Sequence, residues 1–163
     1  MISLYIIMKT ITIIRHAQSK FNAGEYRTEE EIANCRLTNY GVEQSKQLNH
    51  NFDLLIISPL KRAFETYVNS NIKCKQLVVS PLVREQLDGR PLNCLELEEI
   101  KTESSDEVRK RAKEAVDFIR TLKEENIGII SHGCFIWYFL EQCKQPPTGT
   151  FNCQAITFQI PLN

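Results

Sequence analysis

Two of the three histidines in this chain follow short apolar segments that have the composition of buried β-strands. His16 comes after the segment 10–14 and is preceded by Arg15, whereas His132 comes after the segment 127–130. An imidazole can act as a nucleophile, and a guanidinium group binds an anion through several donors. Arg15 and His16 together therefore indicate chemistry on an anionic group such as a phosphate.

Two further apolar segments are followed by charged residues that could take part in the same chemistry. Arg62 comes after the segment 53–57, and Glu85 comes after the segment 77–79. Two arginines can hold phosphoryl oxygens, one imidazole can attack phosphorus, and the second can stabilise charge during the transfer. A carboxyl group such as that of Glu85 can protonate the leaving alcohol and then activate water. Each residue alone is also compatible with a surface or capping role, but together the four strand ends favour a site.

The elements that must position these residues alternate along the chain. Ser104 and Glu107 have the spacing of a capping box, so the clearest helix begins there. Alternating strands and helices predict an α/β fold, a three-layer α/β/α sandwich with a mostly parallel central sheet, whose ligands bind beyond the carboxyl ends of the strands. The predicted strands are 10–14, 53–57, 77–79, 127–130 and 154–160, the predicted helices are 39–49, 60–69, 104–122 and 134–142, and 81–102 is predicted to be a long loop.

The composition excludes several other classes of protein. The 163 residues predict a single domain over 1–163, and 20 Lys+Arg against 20 Asp+Glu give no basic excess for binding nucleic acid. No apolar run approaches the roughly 20 residues of a membrane span. The six cysteines contain no CxxC pair, and no convincing secretory signal precedes them, so we expect reduced thiols, no metal site and a cytoplasmic protein.

Four motifs follow one another over most of the chain. They are RHAQS at 15–19 with Asn22, Leu37 and Thr38 with Gly41 and Gln44, SPLKRAFET at 58–66, and ISHG at 130–133. In this order they resemble the motifs of the histidine phosphatase superfamily, the phosphoglycerate mutase-like group. The first motif has Ala17 in place of the usual glycine, the third has Glu65 where glutamine is common, and Cys134 follows the fourth where a second glycine is frequent.

The resemblance implies a phosphoglycerate mutase-like fold and a role for each matched position. His16 would accept the phosphoryl group, and Glu85 would be the proton donor. The resemblance implies no metal or cofactor, and a substrate that is a small phosphomonoester or a phosphoprotein. The remaining phosphate-binding groups would be Arg15, Arg62 and His132, with Asn22 and the backbone N–H of Gly133 as further contacts.

Three alternatives remain open at this stage. A mutase of the same family would carry a large insertion between Glu85 and His132 that excludes water, and the short segment here favours hydrolysis. A non-catalytic protein of the same fold would bind a phosphorylated ligand without needing both histidines. A cysteine nucleophile formed by Cys134 and His132 would lack an evident third group to orient it.

Overall fold

The computed structural model describes residues 7–28, 31–32, 35–89 and 102–162. Strands and helices alternate along most of this part of the chain, as the sequence predicts. In chain order the elements are β1 (Met8–Arg15), α1 (Asn39–Ser45), β2 (Asn51–Ile57), α2 (Lys61–Val68), β3 (Lys73–Val79), a 3-10 turn (Pro81–Val83), α3 (Ser105–Thr121), β4 (Asn126–Ser131), α4 (Gly133–Gln142) and β5 (Ala155–Pro161).

The five strands form one sheet in the order β3-β2-β4-β1-β5. The pairs β2–β3, β2–β4 and β1–β4 are parallel, and β5 runs antiparallel to β1. The predicted α/β class with a mostly parallel sheet is therefore confirmed. β3 begins at Lys73, four residues before the predicted start. The composition did not indicate this part of the strand, because its first half is largely polar and β3 lies exposed at the edge of the sheet.

The sheet is covered on both faces, because alternate side chains of the central strands enter two separate cores. Ile13 and Ile129 pack with α3 and α4, whereas Ile14 and Ile130 pack with Ala63 of α2 on the opposite face. This alternation follows from the period of two in a β-strand. Uninterrupted apolar segments are typical of strands that are buried on both faces.

The helix starts correspond to the capping signals in the sequence. The Ser104 side chain accepts from the Glu107 backbone N–H, and the Glu107 carboxylate accepts from the Ser104 N–H, which completes the predicted capping box. Thr38 caps α1 by accepting from the Gly41 N–H at 2.9 Å. α1 ends at Ser45, earlier than the predicted 49. None of the helices in the described ranges is long and apolar enough to cross a membrane.

The strand register brings the functional segments together. Ile14 of β1 lies opposite Ile130 of β4, and Ile57 of β2 lies opposite the same residue from the other side. The three carboxyl ends therefore meet at one edge of the sheet. Arg15 is paired with Ser131, so His16 and His132 leave adjacent strands at the same level.

Candidate active site

A cavity of about 480 Å³ opens at this edge of the sheet. It brings together five of the seven residues that the sequence predicts for the site, whereas His132 and Gly133 are not among its lining residues. Apolar, acidic and uncharged polar side chains form the rest of its described wall. The described lining residues are Arg15, His16, Phe21, Asn22, Ile32, Arg62, Glu85, Gln86, Leu87, Asp88, Thr102, Glu103 and Cys134.

The His16 ring is held in one tautomer. Its Nδ1 lies 2.7 Å from the Ala17 carbonyl oxygen, which can only accept, so Nδ1 carries the proton. Nε2 accepts a hydrogen bond from Arg62 Nε at 3.3 Å and is therefore unprotonated. The ring is 3 % exposed. This arrangement presents the Nε2 lone pair next to a fixed cation, where a phosphoryl group bound by that cation would lie.

Arg15 is held against the start of α4. Its Nη1 donates to the Thr150 carbonyl, while its buried Nε has no hydrogen-bond partner among the described residues. A Cβ at Gly133 would lie 3.5 Å from the guanidinium carbon, an ordinary van der Waals distance, so the cation lies directly beside the first residue of α4. Arg15 also lines the cavity, so its guanidinium group lies beside the space that an anion could occupy.

His132 is completely buried, and its ring centroid lies 5.0 Å from that of His16. Its Nε2 is 2.7 Å from the Ser58 hydroxyl, and its Nδ1 has no partner within the described part of the chain. The second histidine thus lies beside the first without lining the cavity.

The Glu85 carboxylate faces the first turn of α4. Its Oε1 accepts from the Phe135 N–H at 3.1 Å and from the Gln86 N–H at 2.9 Å, and its Oε2 lies 3.5 Å from the Cys134 nitrogen. A carboxyl oxygen finds partners here because the first N–H groups of a helix lack acceptors within the helix. Glu85 therefore occupies a defined position at the cavity wall, held by backbone N–H groups.

Asn22 lies at the mouth of the cavity. Its Oδ1 accepts from the Ser19 hydroxyl at 3.0 Å and from Asn152 Nδ2 at 3.2 Å. Asn152 also donates to the His16 carbonyl at 2.9 Å. The side chain of Asn152 therefore ties the segment after β1 to the loop before β5.

Both histidines are kept neutral by their surroundings. Burial lowers the pKa of His16 well below 6.5, and the positive charges of Arg62 and Arg15 lower it further. Burial is also the main reason that the pKa of His132 is lowered well below its usual value, followed by the charge of Arg62. An unprotonated imidazole is the form that can act as a nucleophile.

The structure is similar to solved structures of several phosphatases. A putative alpha-ribazole-5'-P phosphatase from Escherichia coli is 17 % identical, with a TM-score of 0.68 over 94 % of each chain. Phosphoserine phosphatase from Entamoeba histolytica is 17 % identical, with a TM-score of 0.64 over 92 % of this chain and 90 % of that one. Mycobacterial glucosyl-3-phosphoglycerate phosphatase is 16 % identical, with a TM-score of 0.65 over 93 % and 90 %.

The chain has the histidine phosphatase fold. No protein-family model matches the sequence, and no curated protein shows significant similarity to it. The likeness is therefore one of fold at low identity, and the resemblance noted in the sequence motifs is confirmed at that level.

Within this histidine phosphatase fold, three residues that position the site were not predicted from the sequence, namely Ser58, Thr66 and Asn152. Thr66 Oγ1 accepts from the Ala17 N–H at 2.9 Å and donates to the Arg62 carbonyl at 2.7 Å, so it links the two segments that carry the cation and the imidazole. The Ser58 hydroxyl contacts His132. Ser58 and Thr66 are the first and last residues of the third matched motif, so the sequence did contain a signal for both. Asn152 lies in a loop without any pattern.

Cys134 lines the cavity but does not have the properties of a nucleophile. Burial and the neighbouring Glu85 carboxylate raise the pKa of its thiol above the usual value. The reactive form of a cysteine is the thiolate, which this environment disfavours. The contacts of His132 are instead with Ser58 and the His16 ring.

Proposed function

We propose that the protein is a phosphatase that hydrolyses phosphomonoesters through a phosphohistidine intermediate on His16. The observation that carries the proposal is the unprotonated Nε2 of His16, hydrogen-bonded to Arg62 in a cavity that also contains Arg15. The similarity in fold to several phosphatases supports phosphatase activity in general.

In the first step, the Nε2 lone pair of His16 attacks phosphorus while the ester oxygen departs. Arg62 exchanges its hydrogen bond to His16 for one to a phosphoryl oxygen, and Arg15, which lines the same cavity, binds another. Fixed guanidinium groups stabilise the charge on these oxygens without reorganising. Glu85 gives its proton to the leaving alcohol, which is then released.

In the second step, water attacks phosphohistidine. The Glu85 carboxylate formed in the first step takes a proton from this water, so that the new P–O bond forms as the P–N bond breaks. Inorganic phosphate leaves, His16 returns to its neutral state and Glu85 is again protonated. The short segment between Glu85 and His132 leaves little room for an insertion that would exclude water, which favours hydrolysis over transfer to a second alcohol.

The wall of the cavity indicates a small substrate whose alcohol carries no further negative charge. Among its described lining residues the arginines are Arg15 and Arg62, both beside His16, whereas the other lining side chains are acidic, apolar or uncharged polar groups. Two other arginines near the site are already paired with carboxylates, Arg36 with Glu65 at 2.6 Å and Arg84 with Glu103 at 2.9 Å.

The proposal is tested with His16→Ala and, as a matched control, His50→Ala, whose ring stacks on Phe52. We expect the wild type and the control to hydrolyse an aryl phosphate equally in the presence of a chelator, and His16→Ala to lose the activity. Rapid quenching with a ³²P-labelled ester should trap an acid-labile, base-stable phosphoprotein in the wild type only. Full activity of His16→Ala would rule out the mechanism.

A further inference from the structure

The backbone of the loop that carries Glu85 is hydrogen-bonded to a buried ion pair. Arg111 of α3 is 7 % exposed and Glu103, just before that helix, is 5 % exposed. Arg111 Nε lies 3.0 Å from Oε1 of Glu103, and Nη2 lies 2.9 Å from Oε2. Two parallel hydrogen bonds of this kind fix the orientation of the guanidinium plane.

The remaining donors of Arg111 are directed at the backbone around Glu85. Nη1 donates to the carbonyls of Leu82 and Arg84, each at 2.9 Å, and Nη2 donates to the carbonyl of Glu85 itself at 3.4 Å. One side chain thus holds the carbonyl groups of three residues within a four-residue stretch. This fixes the peptide planes on both sides of Glu85.

Glu103 holds the other end of the same loop. Its Oε2 accepts from the Leu87 N–H at 3.0 Å, and its backbone N–H donates to the Leu87 carbonyl at 2.8 Å. Its carbonyl accepts from Gln86 Nε2 at 2.8 Å. Burial alone would raise the pKa of this carboxyl, but hydrogen bonds from Arg111 and Leu87 outweigh it and lower the pKa, so Glu103 is ionised.

The carboxylate of Glu85 is held on the opposite side by α4, through the Phe135 N–H. The Arg111 guanidinium carbon lies 5.1 Å from the centroid of the Phe135 ring. Arg111 therefore contacts the backbone of Glu85, the proposed proton donor, and also Phe135, whose N–H donates to the Glu85 side chain.

A buried ion pair is a poor way to gain stability, because desolvation of the two charges offsets most of their attraction. Arg111 and Glu103 nevertheless direct nearly all of their other hydrogen bonds at residues 82–87. Packing α3 against the sheet requires none of these contacts, since its apolar stripe already enters the core. The network is therefore better explained by the placement of Glu85.

We propose that Arg111, oriented by Glu103, is a positioning residue that holds Glu85 where it can protonate the leaving alcohol. The inference rests on the proposed function. It predicts that loss of Arg111 affects reactions that need this proton and spares those that do not. A nitrophenolate leaves without protonation, whereas an alkoxide requires it, so two substrates separate this role from a general effect on the fold.

The test compares kcat/KM for p-nitrophenyl phosphate and for 2-phenylethyl phosphate. The variant Arg111→Met/Glu103→Gln removes both charges of this pair and leaves Arg84, the other partner of Glu103, with an amide oxygen as acceptor. Arg111→Lys keeps the charge but not the planar fork. Arg109→Met is the control, because this partly exposed arginine on the same helix pairs with Asp106 and Glu141 instead. Thermal unfolding establishes that each variant is folded.

We expect both Arg111 variants to lose on the order of 10- to 100-fold for the alkyl ester and less than about threefold for the nitrophenyl ester, with no change in the control. In a Glu85→Gln background the same substitutions should add little further loss, because the group they position is gone. Equal losses on both esters, or losses that add to that of Glu85→Gln, would overturn the inference. A wild type inactive on both esters would overturn the proposed function, and the inference with it.

Discussion

The tautomer and the charge of His16, the proposed nucleophile, depend on two of its neighbours. The Ala17 carbonyl fixes the proton on Nδ1, and Arg62 faces the lone pair on Nε2. Alanine in place of the usual glycine does not disturb this contact, because Ala17 contributes only its backbone carbonyl and N–H to it. The charge of Arg62 also lowers the pKa of the imidazole, after burial itself.

Replacing Arg62 with methionine should therefore raise the pKa of His16. Removal of a positive charge makes protonation of the imidazole easier, so the acid limb of the kcat/KM profile should move to higher pH. Loss of a fixed donor to the phosphoryl group should also lower kcat by roughly 10²- to 10³-fold. NMR titration of the His16 Cε1–H signal measures the pKa directly. Lys61→Met, an exposed neighbour on α2, should change neither quantity, and an unshifted His16 titration in Arg62→Met would contradict the assignment.

At the scale of elements, composition was sufficient to predict the central strands and insufficient for the edge. β1, β2 and β4 are runs of β-branched and aliphatic residues because both faces are buried, so each was predicted to within a few residues. β3 is polar at its start and exposed, and only residues 77–79 resembled a strand. Asn152 could not be predicted, because its contacts with His16 and Asn22 join segments that lie far apart in the chain.

The packing of α1 onto the segment after β1 explains the glycine of the second motif. A Cβ at Gly41 would lie 2.1 Å from the Gln18 carbonyl oxygen, which is backbone and cannot rotate away. The close approach allows the Gln18 N–H to donate to Gln44 Oε1 and the Thr38 N–H to donate to the Gln18 carbonyl. α1 therefore anchors the residues that directly follow His16.

Gly41→Ala should displace α1 from this segment. We expect a loss of about 1–3 kcal/mol in the free energy of unfolding from overpacking, even though alanine favours the helix itself. Activity towards an aryl phosphate should fall as well, because the segment that holds His16 shifts with the helix. Urea unfolding and steady-state kinetics measure the two effects. Gly149→Ala, where a Cβ would meet nothing within 4 Å, is the control, and equal stability of the two variants would disprove the close-packing argument.

At the scale of the whole molecule, the order of the strands accounts for the burial of both histidines. β1 and β4 are neighbours in the middle of the sheet, so the residues that follow them are enclosed by layers on both faces. His16 and His132 are accordingly almost inaccessible and lie among Arg15, Arg62 and Arg111. The fold thus maintains two imidazoles in their neutral form at some expense to its own stability in acid.

This arrangement predicts that the free energy of unfolding falls between pH 6.5 and pH 5. An imidazole in the unfolded chain titrates near 6.5, whereas in the folded protein the pKa of each histidine lies well below that value. Below pH 6.5 the unfolded chain therefore binds more protons, and each histidine reduces stability by up to about 1.4 kcal/mol per pH unit. The lowered pKa values of Asp53 and Glu103 do not contribute to this slope, because they affect stability only below the usual values of 3.8 and 4.5. Urea unfolding at pH 7 and pH 5 should show this slope, reduced by up to half in His16→Asn and unchanged in His50→Asn. An identical slope in His16→Asn and the wild type would show that folding does not lower the pKa of His16, and would contradict this account.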